Sequence, residues 1–152
     1  MLLTQILQPS CVLAPVKGTD KIAVITELVD LLAAADQIVD RDVVLEAVIV
    51  REETRSTGIG SGIAIPHGKC AGTKELVMAL GIAAEPIEFD SIDGNPVSIV
   101  VLIASPVDRT GPHIQALARI SRLMLDEQFR TKLQNATSSE EAYTLISEKE
   151  NE

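Results

Sequence analysis

Aromatic side chains are nearly absent from this 152-residue sequence, which contains two Phe, one Tyr and no Trp. Without them the chain lacks the stacking platform on which single-stranded nucleic acids are usually bound. The formal net charge is −9, and lysine and arginine form no cluster, so a nucleic-acid backbone would be repelled. These deficits predict an aliphatic core and exclude nucleic acid as a partner.

Cysteines and long hydrophobic runs are also scarce. Cys11 and Cys70 are the only cysteines, and every longer apolar run is interrupted by a charged residue, glycine or proline. With no basic and apolar leader after Met1, we expect a cytoplasmic protein with reduced thiols and no membrane insertion. His67-x-x-Cys70 has the spacing of one edge of a zinc site, but no second pair accompanies it. We therefore predict no metal and no other cofactor.

The most distinctive stretch is the segment 58–68, GIGSGIAIPHG. Three glycines at alternate positions let the main chain or a ligand approach closely. Pro66 fixes the backbone before His67, and Gly68 leaves the other side of that histidine uncrowded. An imidazole placed in this way suits a nucleophile or a general base. A tight turn with a solvated histidine is the purely structural alternative.

Two familiar glycine motifs do not fit this segment. A Walker A loop has four residues between its first glycine and Gly-Lys-Ser/Thr, whereas five residues separate Gly62 from Gly68 and Cys70 follows Lys69. The dinucleotide-binding fingerprint also fails, because its third glycine would come one residue early and no helical pattern follows. Neither a P-loop nor a Rossmann nucleotide site is predicted.

Hydrophobic periodicity predicts helices in the first and last thirds of the chain. One begins after Thr19 as N-cap, and a second begins after Asp40 and ends in a polar turn that contains Arg51. A third opens with Gly111-Pro112-His113 and buries Ile114, Leu117, Ile120 and Met124, with His113 outside that apolar stripe. Two further helices cover residues 129–133 and the segment after the capping box Ser138-x-x-Glu141.

Strands are predicted mainly in the middle of the chain. Residues 11–13 suggest an edge strand, and the apolar runs 76–83 and 97–104 read as buried central strands. Asp93-Gly94 is a hairpin signal, and residues 85–96 are predicted to form part of a β-meander. The order of elements predicts an α/β fold, a three-layer αβα sandwich with a mixed sheet of four to five strands, in which residues 1–152 form one domain.

Four motifs together bring a known family into view. The segment 56–68, STGIGSGIAIPHG, resembles the active-site signature of mannitol/fructose-type (type 2) enzyme IIA domains of the bacterial phosphoenolpyruvate-dependent phosphotransferase system (PTS), including its nitrogen-regulatory members. Arg51-Glu52, the turn at 93–97 and the helix opening with His113 match further motifs of that family in the same order. The resemblance implies an αβα sandwich in which His67 accepts a phosphoryl group from an HPr-like phosphocarrier. It also implies transfer to a IIB domain or a regulatory protein target.

Phosphoryl transfer depends mostly on positioning and charge stabilisation, which a guanidinium and a neutral imidazole both supply. Arg51 and His113 are the candidates for those roles, while the hydroxyls of Ser56 and Thr57 rank below them. Arg55 is a second guanidinium near the loop. The predicted site consists of the catalytic residues His67, His113 and Arg51, with phosphate-pocket support from Ser56, Thr57, Gly58 and Gly68.

Three other functions remain open from the sequence. A hydrolase using His67 with Ser61 or Ser56 would need an acidic partner and an oxyanion hole that no motif provides. A non-catalytic interaction module with the same fold is a second possibility. A sugar-transport IIA that passes phosphate to a fructose- or mannitol-type IIB is a third. Because the chain carries no IIB domain or membrane segment, we expect a regulatory phosphotransferase component without independent turnover.

Overall fold

A computed structural model describes residues 1–152, which form a six-stranded mixed sheet with five helices. The strands are β1 (Leu7–Leu13), β2 (Gly58–Gly60), β3 (Ile63–Ala64), β4 (His67–Lys69), β5 (Val77–Ile87) and β6 (Val97–Ser105). The helices are α1 (Lys21–Ala34), α2 (Arg41–Thr54), α3 (Thr110–Leu123), α4 (Glu127–Gln134) and α5 (Ser139–Glu150), and a 3-10 turn covers Leu3–Gln5.

Two apolar strands, β5 and β6, form the centre of the sheet and pair antiparallel. The sheet order is β1-β5-β6-β3-β2, with β1 parallel to β5 at one edge and β3 parallel to β6. β4 continues along the same side of β6, so that His67 lies opposite Ile103 and Lys69 opposite Ser105. This register places the histidine motif beside the end of β6, from which the chain leads into α3.

Helices cover both faces of this sheet. On one face α1 packs on β5 and α2 on β4, and the two helices pack against each other. On the other, α3 and α4 contact β6, α4 also contacts β5, and α5 contacts β1. The predicted αβα sandwich with a mixed sheet is confirmed. It has six strands rather than four to five, because the glycine-rich segment forms three short strands of its own.

The helix boundaries follow local capping chemistry. Asp40 and Ser138 accept hydrogen bonds from the backbone N–H groups of Val43 and Glu141, as the sequence predicted. The first helix is capped by Asp20, whose carboxylate accepts from Ala23 N, and not by the preceding threonine. Asp20 follows Thr19 by one position, and its side chain is the one that reaches the free N–H group in the first turn of α1.

The predicted β-meander is wrong. β5 continues to Ile87 and the next strand is β6, so the connecting residues 88–96 contain no strand. Asp90 and Gly94 adopt positive φ angles of 55° and 74°, which take the chain out of the extended conformation. Within the same connection, the Asp93 carboxylate accepts from the N–H groups of Ser61 and Asn95. Through Asp93, the predicted turn thus connects the loop 88–96 to the glycine-rich segment by a hydrogen bond.

The buried stripe of α3 differs from the predicted one. Its buried residues are His113, Ala116, Ile120 and Leu123, whereas Ile114 is 58% exposed. His113 is only 2% exposed and lies on this stripe, contrary to the prediction that it stays outside. The α3 helix is rotated so that the imidazole of His113, rather than the side chain of Ile114, points towards the sheet. None of the five helices combines the length and apolarity needed to cross a membrane.

Candidate active site

The His67 side chain is half-buried at the start of β4, and a backbone carbonyl fixes its tautomer. Its Nδ1 lies 2.8 Å from the carbonyl oxygen of Ile65. A carbonyl oxygen only accepts hydrogen bonds, so Nδ1 must carry the hydrogen of the neutral ring. The lone pair of the ring is therefore on Nε2.

Burial lowers the pKa of His67 below its ordinary value of 6.5. The hydrogen bond to the Ile65 carbonyl opposes this change, while the nearby cations Arg51 and Lys69 add to it. The neutral ring is therefore the form present at pH 7. A neutral imidazole with an unoccupied nitrogen is a competent nucleophile.

His113 lies beside His67, on the first turn of α3. The two ring centroids are 5.4 Å apart and the ring planes meet at 61°, an edge-to-face arrangement. His113 Nδ1 is 2.6 Å from the hydroxyl oxygen of Ser105, the last residue of β6. Burial, followed by the charges of His67 and Lys69, lowers the pKa of His113 to about 4. His113 is therefore also neutral at pH 7.

A cavity of about 790 Å³ opens over this histidine pair. Its walls come from α2, from residues 67–70 and from the first turns of α3. The lining residues are Val43, Glu46, Ala47, Val50, Arg51, Thr54, His67, Gly68, Lys69, Cys70, His113, Ile114 and Leu117. The cavity thus joins two imidazoles, a guanidinium, an ammonium and the carboxylate of Glu46 with several apolar side chains.

Arg51 lies in the last turn of α2 and lines the cavity. Its Nη1 donates to the carbonyl oxygen of Arg55 at 2.9 Å, which holds the guanidinium in place. The other N–H groups of the fork remain available for an anion. Arg55 itself contributes only this carbonyl, because its side chain is exposed and does not line the cavity.

Of the predicted phosphate-pocket residues, only Gly68 lines the cavity. A Cβ atom at this position would lie 3.1 Å from backbone atoms of Ala47 and Val48, so glycine allows β4 to approach α2 closely. Gly68 thereby brings the His67 backbone next to the helix that carries Arg51.

Ser56, Thr57 and Gly58 lie away from the cavity. The Ser56 hydroxyl donates to the carbonyl of Phe89 and accepts from the Gly58 N–H at 3.0 Å. The Thr57 hydroxyl donates to the buried carboxylate of Glu52 at 2.5 Å. These hydroxyls serve the packing of the glycine-rich segment. A Cβ atom at Gly58 would lie 2.2 Å from the hydroxyl oxygen of Ser91, which leaves no room for any larger residue.

The sequence analysis missed Lys69 and Ser105, as well as Glu46 and Thr54 on the α2 wall of the cavity. Lys69 lines the cavity, and its Nζ donates to the hydroxyl of Thr110 at 3.2 Å. Ser105 contacts His113 from beneath. A signal for Ser105 was present, because it is the first polar residue after the apolar run 97–104 and lies eight positions before His113. Nothing in the local sequence marks Lys69 as different from other surface lysines.

Comparison with known proteins gives relatives of two kinds. The chain is 34% identical over 148 residues to the PTS system fructose-specific EIIABC component of Bacillus subtilis, covering 97% of the chain but only 23% of that protein. It is 31% identical over 149 residues to a nitrogen regulatory protein of Pseudomonas aeruginosa, covering 98% of the chain and 97% of that protein.

Solved structures similar to this chain also include a nitrogen regulatory protein and a sugar-specific enzyme IIA. The nitrogen regulatory protein IIA-Ntr from Neisseria meningitidis superposes with a TM-score of 0.82 at 29% identity, over 95% of this chain and 98% of that one. Enzyme IIA mannitol of Escherichia coli, solved in complex with phosphorylated IIB mannitol, has a TM-score of 0.80 over 94% of this chain and 99% of that one, and at 19% identity it shows the fold alone. Residues 5–149 match the family described as phosphoenolpyruvate-dependent sugar phosphotransferase system, EIIA 2, and the chain belongs to that family.

Proposed function

We propose that this chain is a cytoplasmic phosphoryl carrier in which Nε2 of His67 accepts a phosphoryl group from an HPr-like phosphocarrier. The observation that carries this proposal is the 2.8 Å contact between His67 Nδ1 and the Ile65 carbonyl. It leaves Nε2 with a free lone pair in a ring that is neutral at pH 7. The imidazole borders an open cavity that also contains a guanidinium.

The transfer of the phosphoryl group to this chain can be written as a balanced reaction that uses no metal ion of the chain. The Nε2 lone pair of His67 attacks phosphorus and forms a new N–P bond, while the N–P bond in the donor phosphohistidine breaks. The electron pair of that bond returns to the donor imidazole, which leaves as a neutral ring because its other nitrogen carries a hydrogen; the positive charge of the donor ring passes to the phosphorylated His67 ring. The hydrogen on His67 Nδ1 stays in its bond to Ile65, so no proton has to move within the acceptor.

Three groups are placed to stabilise the transferred phosphoryl oxygens. Arg51 and Lys69 bring positive charge to the cavity, and neutral His113 lies next to the acceptor ring. The guanidinium is held in advance by the Arg55 carbonyl, which lowers the cost of organising it during transfer. Arg51 and His113 therefore keep the catalytic roles proposed for them, and Lys69 joins them.

The apolar part of the cavity suits the docking of a protein donor. Four side chains surround the imidazoles, and we call them the apolar rim: Val43, Val50, Ile114 and Leu117. Val50 and Ile114 are 54% and 58% exposed, and apolar side chains clustered at one cavity mouth are typical of a surface that a partner covers. An HPr-like partner would bury this rim as its own phosphohistidine enters between α2 and α3.

We further propose a regulatory role, in which phosphorylation of His67 controls binding of a protein target. It rests on the nitrogen regulatory protein of P. aeruginosa, which matches this chain over 97% of its own length. A phosphoryl group adds about −1.5 to −2 charges at neutral pH, the largest local change available on this surface. Transfer to a fructose- or mannitol-type IIB is the second candidate, favoured by the fructose-specific relative.

The relay is tested by incubating the protein with enzyme I, an HPr-like phosphocarrier and phosphoenolpyruvate, and measuring the intact mass. Wild type should gain one phosphoryl group that is lost in acid, as a phosphoramidate is. His67→Ala should gain none, while Cys70→Ala, which changes a neighbouring nucleophile on the same cavity wall, should behave as wild type. An unchanged mass gain in His67→Ala would refute the assignment.

The two roles are separated by uptake and binding experiments. A strain lacking the gene is complemented with wild type, His67→Ala or His67→Asp, and uptake of fructose and mannitol is measured. A regulatory protein leaves uptake intact in all strains but shows partners that differ between His67→Ala and His67→Asp. Loss of uptake of one sugar, with identical partners for all three proteins, would instead establish transport.

A further inference from the structure

The Ser105 hydroxyl is completely buried beneath the histidine pair. Ser105 is the last residue of β6 and is 0% exposed. Its backbone carbonyl accepts from Cys70 N at 3.0 Å, and its Oγ has a single hydrogen-bond partner, His113 Nδ1, at 2.6 Å. The side chain therefore has no contact with solvent and no second hydrogen-bond partner.

This isolation determines where the hydrogen lies. If His113 Nδ1 carried a hydrogen, it would donate to Ser105 Oγ, and the hydroxyl hydrogen would be buried without an acceptor. If Nδ1 is unprotonated, the hydroxyl donates to it and both groups are satisfied. The second arrangement is favoured, and it places the hydrogen of the neutral ring on Nε2.

We propose that Ser105 is a positioning residue that holds His113 as the Nε2–H tautomer, so that the neutral ring donates a hydrogen bond to the phosphoryl group on His67. The role in transfer rests on the proposed function, whereas the tautomer itself does not. Ser105 would act only through His113 and would not touch the phosphoryl group.

The two histidines are then opposite tautomers, fixed by opposite hydrogen-bond partners. The Ile65 carbonyl can only accept, so His67 keeps its hydrogen on Nδ1 and presents a lone pair on Nε2. The Ser105 hydroxyl can donate, so His113 presents an N–H on Nε2. Because the ring centroids are 5.4 Å apart, one ring supplies the nucleophile and the other a hydrogen-bond donor within the same cavity.

The wrong tautomer at His113 would oppose transfer. It would turn a nitrogen lone pair towards negatively charged phosphoryl oxygens, where a donor is needed. The lowered pKa of His113, about 4, means that protonation does not supply the missing hydrogen at pH 7. Removing the hydroxyl in Ser105→Ala frees the ring to exchange tautomers, and should slow phosphoryl transfer between about twofold and about tenfold, the worth of one neutral hydrogen bond.

The tautomer is measured directly by nitrogen-15 NMR of the histidine rings in the unphosphorylated protein. Wild type should show His113 with unprotonated Nδ1 and protonated Nε2. In Ser105→Ala these signals should move towards a mixture of tautomers, and in Ser105→Thr, which keeps a hydroxyl, they should resemble wild type. A hydrogen on His113 Nδ1 in wild type overturns the proposal without any variant having to fold.

The relay rate supplies the second readout. Ser105→Ala should lower the rate of phosphoryl transfer to His67, and Ser105→Thr should restore it. In a His113→Gln background the change of Ser105 to alanine should have no further effect. Wild-type rate and unchanged tautomer in Ser105→Ala overturn the proposal, as does an equal loss in the His113→Gln background. Failure of the relay to phosphorylate wild type would refute the proposed function while leaving the tautomer measurement valid.

Discussion

The ammonium of Lys21 in α1 lies 3.1 Å from the carboxylate of Glu52 in α2. The Glu52 side chain is almost fully buried. The same carboxylate accepts from the backbone N–H of Thr57 at 3.1 Å and from its hydroxyl. Glu52 thus joins α1 and α2 to the start of the glycine-rich segment, one residue after Arg51. This network links the stability of the fold to the position of the guanidinium.

Replacing Glu52 should therefore destabilise the protein. Glu52→Ala removes three charge-assisted contacts and should lower the free energy of unfolding by about 2–3 kcal/mol, measured by urea denaturation. Asp90→Asn is the matched control, because Asp90 also contacts Lys21, at 3.4 Å, but its side chain is 80% exposed, and asparagine tolerates the positive φ of 55° at this position. That change should stay within about 0.5 kcal/mol of wild type. Equal effects of both substitutions would contradict the structural role of Glu52.

Gly58 should resist substitution for a steric reason. In Gly58→Ala the new Cβ would lie 2.9 Å from the Ser91 Cα, and relieving this overlap should cost about 1–3 kcal/mol. Gly111→Ala is the control, because a Cβ there meets nothing within 4 Å in the first turn of α3. It should be neutral or stabilise by up to about 1 kcal/mol. Thermal unfolding of both variants measures the difference, and a fully stable Gly58→Ala protein would refute it.

Arg51 should affect transfer far more than Arg55 does. Arg51→Ala removes the guanidinium that lines the cavity and should slow phosphoryl transfer by about 10²–10³. Arg55→Ala keeps the backbone carbonyl that holds Arg51 and should transfer at close to the wild-type rate. Rapid-quench measurement with phosphorylated carrier gives both rates. A slow Arg55→Ala protein with a fast Arg51→Ala protein would reverse the assignment.

The apolar rim should control the affinity of the phosphoryl donor. Ile114→Ser removes apolar surface at the cavity mouth and should raise the concentration of phosphorylated carrier that gives half the maximal single-turnover rate by about five- to thirtyfold, with the maximal rate little changed. Ile92→Ser is the control, because Ile92 is 70% exposed but does not line the cavity. It should leave this half-saturating concentration unchanged. Equal effects of both substitutions on it would show that the donor does not dock on the apolar rim.

The lowered pKa of His113 predicts a loss of stability in acid. The buried ring faces Ser105 from β6, His67 and Lys69 from β4, and the cavity that Arg51 lines, so it stays neutral in the folded protein down to about pH 4. In the unfolded chain it gains a proton near its ordinary value of 6.5. Between these values the unfolded state binds more protons, so the free energy of unfolding falls as pH decreases.

The titration of His113 leaves the free energy of unfolding unchanged above pH 6.5 and lowers it progressively as the pH falls to about 4. Urea denaturation at a series of pH values measures it, and His113→Gln is the reference, because an amide does not titrate. The difference in pH dependence between the two proteins should be confined to that window. Parallel curves for wild type and His113→Gln would contradict the lowered pKa.

Much of the architecture was written in local sequence patterns. The apolar runs 76–83 and 97–104 predicted β5 and β6, because a strand buried on both faces needs continuous apolar residues. Asp40 and Ser138 predicted two helix starts, because capping depends only on residues within one turn. The motif around His67, with Arg51 and His113, was sufficient to indicate the family, since these residues lie in its characteristic order.

Tertiary structure alone decided which side chains face the site. Periodicity placed Ile114 in the core, but packing of α3 against β6 buries His113 instead and leaves Ile114 at the cavity mouth. Ser56 and Thr57 looked suited to binding phosphate. Their hydroxyls instead donate to the carbonyl of Phe89, which is distant in sequence, and to the carboxylate of Glu52 in α2. Sequence patterns indicate where an element forms, whereas its exact buried face, its hydrogen-bond partners and the cavity walls are decided only where separate elements meet.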